Sequence, residues 1–161
     1  MPTIRIVDDI LAPSETLKIN YEGKNPYTPV VIIPQILRDV MKITGQHIRE
    51  IDTRWDITSD PRPFYCIYEG RRAEDKWTKT MIRFIAQGVQ SSKDKVGWVR
   101  LQFKGNVTTA YEYENFIQKS FWWLFNYTFY YKQRRQYIEM AKDNIYTMKA
   151  RLQSALGILR E

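Results

Sequence analysis

Two residue types that build most metal and nucleophilic centres are nearly missing: the chain has one cysteine, Cys66, and one histidine, His47. A single thiol excludes an intrachain disulfide framework, and a lone histidine beside it cannot complete a zinc set. Cys66 sits in an apolar strand-like run, where a buried inert thiol in a reducing compartment is expected. His47 stands at the entrance to a strand and reads as a surface or turn residue. There is no glycine-rich phosphate loop and no GxSxG, HExxH or EF-hand pattern. These absences remove the strongest reasons to propose an enzyme without excluding one, and no cofactor or metal is implied. No apolar run reaches the roughly 18 residues needed to span a bilayer. Asn126 and Thr128 interrupt the best candidate, and Lys132, Arg134 and Arg135 end it. The opening MPTIRIVDD lacks the basic-then-apolar order of a secretion signal, so a cytoplasmic protein is the expectation.

What the chain does have is aromatic surface and positive charge. Its 161 residues suit a single α+β domain over 1–161, and 43% hydrophobic with 27% charged residues is a globular composition. Five Trp, eleven Tyr and seven Phe must fill a core or line a pocket or interface. The net charge of +7 favours an anionic partner over a cationic one, though a merely basic solvated surface reads equally well.

Alternation predicts strands at 3–7, 16–21, 47–57, 64–69, 77–89 and 97–113. The last is the clearest, with Val99, Leu101, Phe103, Gly105, Val107, Thr109 and Tyr111 inward. Strand 77–89 is apolar on both faces, which fits either two-sided cover or a register shift. On strand 47–57, Glu50, Asp52 and Asp56 share one face with Arg54 between them. They could act as an acid–base pair in a cleft, but read better as a solvated surface. Between 26 and 43, Ile33, Ile36, Leu37, Val40 and Met41 recur at helix spacing. Pro34 is expected in the first turn of that helix, and Gly45 as its left-handed cap.

A helical pattern then runs from Asn115 to about Leu159, with Asn115 and Gln118 as a capping pair. Ile138, Ala141, Ile145, Met148, Leu152, Ala155 and Leu159 alternate by three and four residues and form a packing stripe, within the subunit or between subunits of a homo-oligomer. Continued backward, the spacing passes through Arg134, Tyr131, Tyr127, Leu124, Ser120 and Ile117. One unbroken helix would be about 65 Å long, so it bends near Asn126 to Thr128 or projects. Its first third, FIQKSFWWLFNYTFYY, is aromatic all round and needs a second surface: another element, another subunit, a lipid headgroup layer or an apolar ligand.

The element order resembles the helix-grip topology of lipid-binding START-like domains, with fewer strands after the early helices than that family usually has. The resemblance implies a curved antiparallel β-sheet packed on a long C-terminal α-helix, enclosing an apolar cavity. Phe84, Leu101, Phe103, Tyr111, Phe121, Leu124 and Phe125 would line it, and the chain would be a non-catalytic binder of an apolar or aromatic small molecule or lipid. The rival reading is a basic module for nucleic acid or protein. It would use Arg71, Arg72, Lys79, Arg100, Lys104, Lys132, Arg134 and Arg135, with Trp77 and Trp98 for base stacking. A third reading is structural oligomerisation through the projecting helix.

Overall fold

A computed structural model describes residues 2–158. Six strands, β1 (Thr3–Asp9), β2 (Leu17–Lys24), β3 (Ile48–Trp55), β4 (Arg62–Ala73), β5 (Thr78–Gln90) and β6 (Val96–Glu112), form one antiparallel sheet in the order β1-β6-β5-β4-β3. The free edge of β6 is divided. β2 pairs with its first half, Ile10 donates its N–H to the Gly105 carbonyl at the junction (3.1 Å), and β1 pairs with the second half. Three α-helices complete the early and late parts of the chain: α1 (Thr28–Met41), then α2 (Phe116–Phe125), which runs through a π turn (Asn126–Tyr130) into α3 (Tyr131–Leu156). A curved antiparallel sheet gripping a long C-terminal helix is the helix-grip, START-like fold.

The core lies between the concave sheet face and α1 with α3. Phe84 and Phe103 meet at 5.3 Å in its centre with their rings tilted by 56°, surrounded by Ile82, Leu101, Val107, Ile145, Met148 and Leu152, all fully buried. Tyr27, Trp55 and Phe64 close one end with edge-on and stacked rings. Gly105 leaves room for Ile10 over the sheet: a Cβ there would lie 2.6 Å from Ile10 Cδ1 and 2.9 Å from the Met81 carbonyl, with Ile145 of α3 in ordinary contact at 3.5 Å. Gly105→Val should therefore lower unfolding stability by about 2 kcal/mol in urea titration.

Several local expectations need correction. Pro29, not Pro34, occupies the first turn of α1; Pro34 lies inside the helix. The left-handed residue that ends it is Lys42 (φ 55°), while Gly45 opens a short 3-10 turn. A bulge between Glu50 and Asp52 interrupts β3, so those two carboxylates oppose Tyr68 and Ile67 and fall on opposite faces. Asp56 has left the strand and binds the Thr58 N–H at 2.8 Å in the following turn. β5 pairs without a register shift; its outer Met81 and Ile85 are half-buried. β4 extends further than expected, so Arg71 and Arg72 are strand residues. At the end of α3, Ala155 is exposed and Leu156 takes the core position, while Leu159 lies outside the described residues.

Candidate functional site

The aromatic first third of the late helical segment leaves the sheet at the carboxyl end of β6. Asn115 caps α2 by accepting from the Gln118 N–H (2.9 Å), and Gln118 Oε1 reaches back to the Glu114 N–H (2.8 Å). Trp122, Asn126, Tyr130 and Arg134 are the buried line of this segment. They are spaced by fours. On an ideal helix each step of four walks about 40° off a face, and the π turn takes up the extra residue so that the line stays over the sheet. Thr128 Oγ1 donates to the Leu124 carbonyl (2.7 Å), satisfying a backbone group inside that wider turn.

The stripe therefore does not continue backward through Tyr131, Tyr127, Leu124 and Ile117. Those four side chains are exposed.

What holds the line down is an aromatic and polar latch. Trp122 stacks on Tyr111 (5.3 Å, 20° between planes), and Trp77 meets Tyr130 edge-on at 5.5 Å and Phe125 at 6.0 Å. Beneath them the Asp75 carboxylate accepts from the Trp77 N–H (2.7 Å), the Thr78 N–H (2.9 Å), the Tyr130 hydroxyl (2.6 Å) and the Tyr137 hydroxyl (3.1 Å). Tyr130 also meets the Thr78 hydroxyl, which pairs with that of Thr109 at 2.8 Å. Burial alone would raise the Asp75 carboxyl, but the hydrogen bonds outweigh it and hold the group below the ordinary aspartate range. Burial, reinforced by the Asp75 hydrogen bond, pushes the Tyr130 hydroxyl well up, so at neutral pH it is a donor. Arg134 is buried against Asp8. The sequence pointed to neither Asp75 nor Tyr137, and to Tyr130 only as one ring of the aromatic run. The available signal was Asp75 standing two and three residues before N–H groups it could bind, as in an Asx turn.

Above the latch the helix is bare. Phe116 is 78% exposed, Phe121 67%, Leu124 59% and Tyr127 83%. Ile117, Trp123, Phe125, Phe129 and Tyr131 are exposed as well. Phe116, Ile117, Ser120, Phe121 and Leu124 border a shallow apolar hollow of about 260 Å³.

No family model and no curated protein matches the chain. Among solved structures, a Staphylococcus aureus protein of unknown function aligns at 8% identity and TM-score 0.24, over 89% of this chain and 94% of its own. An uncharacterized Rhizobium leguminosarum protein aligns at 13% and 0.23, over 92% and 99%. Ara h 8.0201 aligns at 8% and 0.20, over 83% and 97%. The fold assignment rests on strand order and helix placement.

The seven residues expected to line a cavity separate into two groups. Phe84, Leu101 and Phe103 belong to the close-packed core, and Tyr111 is half-buried under Trp122. Phe121, Leu124 and Phe125 stand on the exposed helix.

The eight basic residues are also divided. Arg71, Lys79, Arg100 and Lys104 share the outer face of the sheet, where Arg100 lies over Trp98 at 5.4 Å. Arg72 faces inward and donates to the Met41 carbonyl (3.1 Å). Lys132, Arg134 and Arg135 are on α3, away from that face. Glu69, fully buried on the outer face, is clamped by Arg71 and by Arg83 (2.8 Å). Burial opposes its ionisation, but the hydrogen bonds from Arg83 and Arg71 prevail and lower its pKa.

Burial pushes the Cys66 thiol up to about 12, so it remains protonated and inert at neutral pH. Among the described residues, no group of three or more His, Cys, Asp or Glu side chains could hold a metal ion.

Proposed function

We propose that this chain is a non-catalytic binding domain for an apolar or aromatic small molecule or lipid, taken up on the bare first turns of the late helix. The observation that carries the reading is the apolar hollow formed by Phe116, Ile117, Phe121 and Leu124. Four large apolar side chains left in water by a fold with a filled core are a standing favourable contribution to any apolar contact, about 1.5–3 kcal/mol per side chain fully covered. The space between sheet and helix is already occupied by Phe84, Phe103, Ile145 and Met148, so the helix-grip interior contributes rigidity and the ligand sits outside it.

The test is Nile red fluorescence with the full chain and with the Phe121→Asp/Leu124→Asp double variant. Both substitutions are at exposed positions and leave the core intact. The unmodified chain should enhance and blue-shift the emission, and the double variant should weaken binding about tenfold or more. Equal uptake by both proteins would overturn the assignment of this surface.

A further inference from the structure

We propose that the bare segment 116–131 docks on the surface of an anionic lipid bilayer, lying at headgroup depth with its rings in the acyl boundary and its cations on lipid phosphates. This rests on the reading that the segment is the apolar-binding surface, and names what presents apolar matter to it.

Charge points to an anionic partner. From Asn115 to Ile138 every charged residue is basic: Lys119, Lys132, Arg134 and Arg135. Arg134 is consumed by Asp8. Lys132 is exposed, Lys119 is half-exposed over the Tyr113 ring, and Arg135 meets only an exposed Glu139 at 3.8 Å. Three cations thus flank the aromatic surface, and the exposed acids nearest to it in the chain, Glu112, Glu114 and Glu139, lie outside the segment.

Shape separates a bilayer from a protein partner. At about 100° per residue, the exposed Phe116, Ile117, Phe121, Trp123, Leu124 and Phe125 occupy roughly 200° of the circumference of α2. A rigid second copy laid along the helix covers one face of it. A fluid layer surrounds a projecting cylinder on all its free sides. The side chains also suit the boundary between water and hydrocarbon: Trp123, Tyr127 and Tyr131 combine an apolar ring with a polar edge.

Backbone chemistry agrees. In an apolar medium each carbonyl must be satisfied from within, and Thr128 does this for Leu124 in the π turn. Among the described residues no helix is long and apolar enough to cross a membrane, so the segment lies in the interface.

Co-sedimentation of the full chain with two vesicle preparations decides the matter: phosphatidylcholine alone, and phosphatidylcholine with about one-quarter phosphatidylserine. The bound fraction should be at least about tenfold higher on the anionic vesicles and fall as salt is raised. Tryptophan emission should shift to the blue on binding. Phe121→Asp/Leu124→Asp should abolish association with both vesicles, and Lys132→Glu/Arg135→Glu should remove the preference for phosphatidylserine. Circular dichroism of each variant should match the unmodified chain.

Nile red uptake without vesicle binding would overturn the membrane inference and leave the small-molecule reading standing; loss of both would overturn both. A dimer in light scattering that Phe121→Asp converts to a monomer would instead assign the surface to a second copy. An oligonucleotide that displaces the unmodified chain from anionic vesicles and still binds the Phe121→Asp/Leu124→Asp variant would move the anionic partner to other basic residues and overturn the proposal.

Discussion

Ile145→Asp should leave no folded protein at any concentration, read as loss of the cooperative urea transition and of helical circular dichroism. Ile145 is fully buried in the cluster that contains Phe84, Phe103 and Leu152, and its Cδ1 lies beside Gly105. A carboxylate there has no cation or donor to meet, and burying it unpaired costs several kcal/mol on top of the lost packing. That is a large part of the 5–15 kcal/mol that stabilises a typical domain. Ile145→Ala, which only empties space, should keep the fold and lower stability by about 2–5 kcal/mol. The pair of variants tests the role of the stripe through Ala141, Ile145, Met148 and Leu152. A well-folded Ile145→Asp protein of reduced mass in light scattering would place that stripe between subunits.

Asp75→Ala should release the aromatic helix from the sheet while α3 stays docked. The substitution removes one acceptor from four donors, the Trp77 and Thr78 amides and the Tyr130 and Tyr137 hydroxyls. Leaving several of these partly buried donors unpaired should cost about 2–4 kcal/mol. Hydrogen exchange should rise most in residues 116–130 and much less around Met148 and Leu152. The same latch gives a pH dependence with a defined sign. The folded pKa of Asp75 lies below its ordinary value of 3.8, so its contribution is complete above that value. It is lost as the pH falls through the lower, folded value. Acid unfolding monitored by tryptophan fluorescence should therefore begin at lower stability in the unmodified chain than at neutral pH, and Asp75→Ala should flatten that limb. An identical acid limb in both proteins would remove Asp75 from the account.

The fold was largely legible because its longest elements bury one face. On β6 a strict alternation from Val99 to Thr109 leaves only one way to turn the strand. From Ala141 to Leu152 the stripe needs nothing but a regular helix, and Asn115 with Gln118 announces where that helix begins. Two of the failures, those that moved whole faces, come from one residue inserted into a repeat. The bulge beside Ile51 moves Glu50 and Asp52 onto opposite faces. The π turn shifts the buried helix line from Tyr131 and Tyr127 to Tyr130 and Asn126. Periodicity carries no warning of such an insertion, since either phase places aromatic residues on the sheet.

The candidate site was legible in kind but not in detail. So many rings around one helix cannot all be covered by a single sheet, which singled out Phe121, Leu124 and Phe125. Which rings are covered depends on Asp75 and Trp77, some fifty residues earlier in the chain, and local pattern does not connect them.

The divided edge of β6 sets the order in which the protein can assemble. β1 and β2 take their ladder bonds from β6, pairing Thr3 with Glu112 and Leu17 with Phe103. During synthesis the earliest strands therefore wait, unpaired, until nearly the whole sheet has left the ribosome. The hairpins joining β3, β4, β5 and β6 close over short loops and can form first. The amino-terminal strands then dock across long loops, about a hundred residues for β1 and about seventy to ninety for β2, each with a closure entropy to overcome. Contacts of that span make for slow folding, so the last event in building this sheet is the arrival of the first part of the chain.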